Sequence, residues 1–308
     1  MQAKHLTILG IAGFSALMLL SCQQGPTVST TKGTTTVECD ETLLPVMKIQ
    51  ADDFHNTYPE ATINVRPVEA REAVVDFVND SIRVITMARS FNKEELDFLK
   101  KSDIQYEGFK VALGAIAVIV NSQRQDTLLR IAELDSIFSG LRTQWNPKTR
   151  DLIDAYVGDI NSSTDEVFKA EILKGKPFGP TATRIKSSDK LIEEVAKNRN
   201  GIGLVGVSWL EGHEEGIKVC RLGGGLYQPD STVVPGQFFS PAQAHILRQY
   251  YPITQEVYMY TREVRRDVGY GFIAYVKESR GQQIFVNHML VPASLPVRIA
   301  NITSQKVQ

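Results

Sequence analysis

Residues 161–164 read Asn-Ser-Ser-Thr, between an apolar stretch at 152–157 and a helix-forming one at 165–174. Hydroxyls and backbone N–H groups gathered at a helix start can hold an anion without a metal. The first N–H groups of a helix lack intrahelical partners, and that end carries about half a positive charge. The same residue types also cap helices. Ser163 and Glu166 have capping-box spacing, and Ser162 with Asp165 offers a second local cap. Gripping a ligand and capping a helix compete for the same N–H groups. Catalytic patterns are absent from the sequence: there is no Gly-x-Ser-x-Gly elbow, no Cys-His pairing and no His-Glu-x-x-His. His213 stands beside Glu214 and Glu215, but no second His lies at metal-ligand spacing. That loop reads as polar surface. No metal, cofactor or enzymatic activity is implied. Glycines 223–225 lack the strand–loop–helix context of a phosphate loop.

The segments that must position this turn alternate strand and helix. Residues 34–39 are β-prone, and 40–59 carry apolar residues near helical spacing, with Pro45 placed for a first turn. Strands follow at 61–68 and 81–88, and helices at 69–80 and 92–102, the latter capped by Asn92. A long β-prone run occupies 109–121. The order βαβαβαβ implies a mostly parallel sheet flanked by helices. A second block repeats the style. It has helices at 130–140 (ended by Gly140), 163–175 and 187–200 (capped by Ser188), and strands at 151–157, 201–207 and 217–222. The tail adds a Ser-Pro helix start at 240, a strand at 256–261 and one or two helices over 269–290. Two α/β blocks and a returning tail predict two lobes around a cleft, where strand ends and helix starts meet a ligand.

The 308 residues suffice for two such lobes. With 34 Lys and Arg against 35 Asp and Glu, the charge balance gives no indication of nucleic-acid binding. Lys4 followed by an apolar run at 6–20 and then Ser-Cys reads as a secretory signal, too short for a comfortable membrane span. "LLSC" at 19–22 resembles the lipobox of bacterial lipoproteins, which implies cleavage before Cys22 and lipidation of its thiol. Residues 22–32 read as a flexible tether. Cys39 and Cys220 match no metal motif. Each reads as a small core residue, and a bridge between them stays open.

Beyond these local signals, the chain resembles the phosphate-binding branch of the substrate-binding proteins of ABC transporters. The similarity rests on "GAIAVIVNSQRQDTL" (114–128), "IAELDSIFSGLRTQW" (131–145), "NSST" (161–164), "GIGLVGVSWL" (201–210), "YPITQEVYMYTRE" (251–263) and the C-terminal stretch 271–299. The order and spacing of these segments carry it, more than any one of them. It implies a type II periplasmic-binding-protein fold, each lobe a mixed, mostly parallel sheet flanked by helices. Lobe one would comprise 33–113 and 254–308, and lobe two 114–253. It also implies a monomer, a phosphate or similar oxyanion ligand, an ABC permease partner, and a lipid-anchored position on the periplasmic side of a bacterial membrane.

Three turns correspond to the family's ligand contacts: Thr42 with Leu43, Arg89, and Ser162, Ser163 and Thr164. Thr42 could equally cap a helix, with Leu43 in the core. Arg89 could hold a phosphoryl group or carboxylate bidentately, or lie on the surface. The sequence departs from the family pattern in several places. Gly158 stands where an Arg is common, Glu69 near a Ser, and Gly114-Ala115 for an Asp-Gly pair, while Asp165 and Glu166 add negative charge. One carboxylate at about 4 Å opposes an anion by roughly 4 kcal/mol at an effective dielectric near 20. Two functions therefore follow. One is phosphate capture for an importer. The other is a two-lobed scaffold or sensor that has lost phosphate binding and works through a membrane partner.

Overall fold

The structure, a computed structural model, describes residues 29–148, 151–223, 236–263 and 266–294. The signal segment 1–21, Cys22, most of the tether, and Gly224 and Gly225 lie outside the described residues. The chain runs β1 (Gly33–Asp40), α1 (Leu44–Thr57), β2 (Ala61–Val68), α2 (Ala70–Val78), β3 (Val84–Met87), α3 (Lys93–Lys101), β4 (Glu107–Asn121) and β5 (Leu128–Arg130). Then come α4 (Ile131–Phe138), β6 (Asp154–Val157), α5 (Ser163–Glu171), β7 (Thr183–Arg184), α6 (Ser188–Lys197), β8 (Gly201–Gly206), β9 (Ile217–Val219) and β10 (Arg221–Gly223). Last are β11 (Phe238–Phe239), α7 (Gln243–Leu247), β12 (Thr254–Thr261), α8 (Val268–Lys277), α9 (Ser279–Asn287) and β13 (Val291–Pro292).

The main sheet has the order β2-β1-β3-β12-β4-β8-β6-β7. β1 pairs in parallel with both β2 and β3, whereas β12 lies antiparallel between β3 and β4. The crossovers therefore leave β1 to β4 running one way, as the βαβ order requires. The tail strand β12 enters between two of them, so the centre of the sheet is antiparallel. Local pattern could not show that insertion. On the far side β8 is antiparallel to β4, and β6 is parallel to β8 and β7. The 15-residue β4 serves both halves of the molecule. Up to Ala115 it pairs with β12, and from Ile116 onward with β8.

Local chemistry explains the elements that carry the cleft. α3 starts with a complete capping box: Asn92 Oδ1 accepts from Glu95 N, and Glu95 Oε2 accepts from Asn92 N. α4 stops at Gly140, whose φ of +80° suits a residue without Cβ. β8 is buried along its whole length, and a Cβ on Gly203 would lie 2.5 Å from Leu191 Cδ2, so Gly203 lets α6 approach the sheet closely. α5 is anchored by fully buried Phe168, edge-on to Phe138 with ring centroids 5.0 Å apart. The tail packs back on α1. Phe272 and Tyr275 of α8 meet Phe54 of α1 at 5.5 and 5.3 Å.

Two expectations need correction. The cap of α6 is Ser187, whose side chain accepts from Lys190 N, and Ser188 is the first helical residue. The Ser-Pro segment at 240 yields only the five-residue α7. Cys39 and Cys220 are both free and fully buried. Burial pushes the Cys220 thiol up to about 12 and that of Cys39 well above its ordinary value. In a chain that starts after Cys22, neither thiol is expected to react with iodoacetamide at neutral pH until urea is added. Rapid alkylation of the native protein would contradict this packing.

Candidate anion-binding cleft

β1 delivers Asp40 to the cleft, where its carboxylate is fully buried. Asp40 Oδ1 accepts from Thr42 N at 3.1 Å and Oδ2 from Ala88 N at 3.4 Å. It thus occupies two backbone donors at the ends of β1 and β3 of the kind that hold oxyanions. Thr42 is 3% exposed, and its Oγ1 lies 3.2 Å from Thr164 Oγ1 of α5, across the cleft. Leu43 packs into the main core, leaving only its backbone for any ligand contact.

The opening turn splits its duties. Ser162 is the N-cap of α5, its Oγ accepting from Asp165 N at 3.1 Å. Of the two possible caps it is this one that forms. Asn161 enters the turn with φ +70°, a left-handed conformation Asn tolerates. Ser163 is fully buried, and its Oγ has no hydrogen-bond partner. Asp165 is 1% exposed and turns away to Lys169 Nζ at 2.5 Å and Arg184 at 2.9 Å. Its charge is therefore met by two cations on its own side of the cleft.

Arg89 and Glu166 behave differently. Both Arg89 terminal nitrogens donate to the two Glu95 oxygens at 2.8 Å, and Arg89 Nε lies 2.6 Å from Glu166 Oε2. The guanidinium, 7% exposed, is already shared by two carboxylates. Burial raises the Glu166 carboxyl, and Arg89 pulls it back down. A second contact of this kind joins β1 to α6. Glu41 Oε1 accepts from Ser188 N at 2.8 Å, and Oε2 from Ser188 Oγ at 2.7 Å. Burial pushes Glu41 up to about 7 against those two bonds. Trp209 Nε1 donates to the Glu41 carbonyl at 2.9 Å, and Ser208 Oγ to that of Thr42 at 2.7 Å. Glu69, just before α2, is raised to about 8 by burial first and by Asp40, Asp159 and Glu41 next.

Little room remains between these groups. A cavity of about 10 Å³ lies among Thr42, Ala88, Gly206, Ser208 and Gln255, the least that one water needs. A larger cleft of about 500 Å³ adjoins it, lined by Arg89, Ser90, Lys110, Val167, Glu171 and Gln255. Thr42, Thr164 and Arg89 are thus drawn to the contact between the halves, with the two Thr hydroxyls facing one another and Arg89 paired, while Ser163 is buried at the start of α5. Sequence reasoning did not find Asp40, Glu41, Glu95 or Gln255. The Asp-Glu pair at 40–41 was the available signal, acids at the end of a strand and the start of a helix turn. His213 is half-buried, with Nε2 3.0 Å from Asp189. Among the described residues no group of three His, Cys, Asp or Glu could hold a metal.

The sequence profile of the PBP superfamily domain matches residues 24–279. The phosphate-binding protein PstS of Staphylococcus saprophyticus is 24% identical over 291 residues, which cover 91% of this chain and 88% of that one. A protein of the same name from Pseudomonas aeruginosa is 21% identical, over 84% of this chain and 82% of that one. Among solved structures, a putative phosphate ABC transporter substrate-binding protein with bound phosphate from Clostridium perfringens superposes with a TM-score of 0.71 at 16% identity. That match covers 84% of this chain and 99% of that one.

Proposed function

The chain belongs to the PBP superfamily, and from that premise we propose that it is a lipid-anchored, extracytoplasmic solute-binding protein that captures phosphate or a related oxyanion for an ABC importer. Its role is binding, not catalysis. One observation carries the ligand class. Thr42 and Thr164 bring hydroxyls from the two halves within 3.2 Å, next to the buried, unpartnered Ser163 hydroxyl at the start of α5. The lobe boundaries 33–113 with 254–308, and 114–253, are supported by the exchange of partner strands along β4 between Ala115 and Ile116. Anchoring through Cys22 on the periplasmic side rests on the lipobox-like sequence. Cys22→Ser is expected to release the protein from the membrane fraction.

The reading is tested by titrating phosphate into the chain without its signal and Cys22. Saturable one-to-one binding is expected, with melting raised by phosphate in excess. At about a hundred times Kd the gain is about 2.7 kcal/mol. Flat calorimetry together with an unmoved melting curve would remove phosphate as the ligand. The second reading, a scaffold or sensor that acts through a membrane partner, is favoured by the pairing of Arg89 with Glu95 and Glu166 and by the small cavity beside Thr42. It would gain from that negative result.

A further inference from the structure

Two carboxylates cross the cleft in opposite directions. Glu166, on α5 in lobe two, reaches Arg89 at the end of β3 in lobe one. Glu41, at the end of β1 in lobe one, reaches the backbone N–H and hydroxyl of Ser188 at the start of α6 in lobe two. An anion that closes a two-lobed protein draws donors of both lobes onto one negative charge. Here the chain's own side chains supply that charge, and they meet an arginine and a helix N-terminus, the two kinds of donor that oxyanions use. The contact is shielded from water, because Arg89 is 7% and Glu166 19% exposed, and it lies at the edge of the cleft of about 500 Å³ that Arg89 and Val167 line. Asp165, one residue earlier, shows that this placement is not a general consequence of an acidic first turn, since it pairs with Lys169 and Arg184 instead.

We propose that Glu166 is an internal competitor of the anion: with Glu41 it bridges the lobes in place of a ligand, so the protein closes unliganded and an oxyanion enters only by displacing Glu166 from Arg89. The competition for the ligand rests on the oxyanion reading above, while the bridging does not. A population already closed weakens ligand binding by the fraction that must reopen. Glu166 would thereby set the affinity, and it would favour anions charged enough to outbid a carboxylate for Arg89.

Small-angle scattering of the unliganded protein, wild type and Glu41→Gln/Glu166→Gln, is paired with phosphate calorimetry on wild type and Glu166→Gln. Gln keeps the size of Glu and removes its charge, and the wild-type scattering needs no variant at all. The expected result is a compact unliganded wild type that phosphate does not compact further, and an expanded double variant. Glu166→Gln is expected to bind phosphate at least about tenfold more tightly. An expanded unliganded wild type, or equal phosphate affinity in the two proteins, would overturn the inference. A compact wild type that the double substitution expands, with phosphate bound by neither protein, supports the bridge and removes the phosphate reading instead.

Discussion

Arg89→Ala is expected to be the most damaging single change in the cleft, lowering the unfolding free energy by about 3–5 kcal/mol. The reason is what stays behind. Glu95 and Glu166 would keep their burial, at 10% and 19% exposure, and lose the cation between them. Glu95 has a second task, since its carboxylate also accepts Asn92 N at the start of α3. Repulsion between the two acids would therefore loosen a helix cap as well, an element usually worth about 1 kcal/mol. Arg89→Lys should fall between, because an ammonium replaces one contact well but not the two-pronged hold on Glu95. Glu166→Ala should cost less than Arg89→Ala, as Glu95 still neutralises the arginine. The midpoint and slope of urea unfolding for the three variants check this ordering. A loss below about 1 kcal/mol for Arg89→Ala would place the cluster in water, as for a surface pair, and with it an open cleft.

Arg89 also shows where sequence reading stops. Its residue type and position at a strand end were enough to mark it as a cleft residue. Its partner across the cleft was not visible, because Glu166 is remote in sequence and either a bound anion or a carboxylate satisfies a guanidinium equally well. The same holds for Glu41, whose partner Ser188 is 147 residues away. Features set by neighbours in sequence were legible. The Asn92 cap, the Gly140 stop and the βα alternation all depend on spacing of four residues or fewer, or on the period of a strand or helix. Features set by the fold were not. The antiparallel entry of β12 between β3 and β4 leaves no trace in the composition of any of the three strands. The choice of Ser162 over Ser163 as the cap of α5 is set by where the backbone turns helical, Ser162 being extended and Ser163 the first helical residue. The family resemblance supplied the lobe boundaries and the ligand turns that local pattern lacked, but it assigns anion donors without saying what else has come to occupy them.

The acids around the cleft carry a second large effect, on the pH dependence of stability. Burial is the first cause that raises Glu69 to about 8 and Glu41 to about 7, and away from the cleft it raises Glu263, after β12 and hydrogen-bonded to Tyr270 N, to about 8, from an ordinary value of 4.5. Each group holds its proton in the folded chain at pH values where the unfolded chain has released it. The folded state is therefore favoured most below about pH 4.5 as far as these three are concerned, and that advantage is lost as pH rises through 7 to 8. Asp53 works the other way, because Arg280 holds it below its ordinary value, but its contribution is already complete above pH 4 and adds no slope at neutral pH. The melting temperature is accordingly expected to fall by several degrees between pH 5.5 and pH 8.5. Glu69 should account for much of the fall, since Asp40, Asp159 and Glu41 all oppose its charge and its Oε2 has no hydrogen-bond partner. Glu69→Gln removes that ionisation, so it should raise melting a little at pH 5.5 and much more at pH 8.5, and flatten the profile. Calorimetric scans of both proteins across this range provide the check. A profile that is flat or rises towards pH 8.5 would mean that Glu69 and Glu41 meet water in solution. The lobes would then stand apart, and the carboxylates that crowd the site would no longer argue against a bound anion.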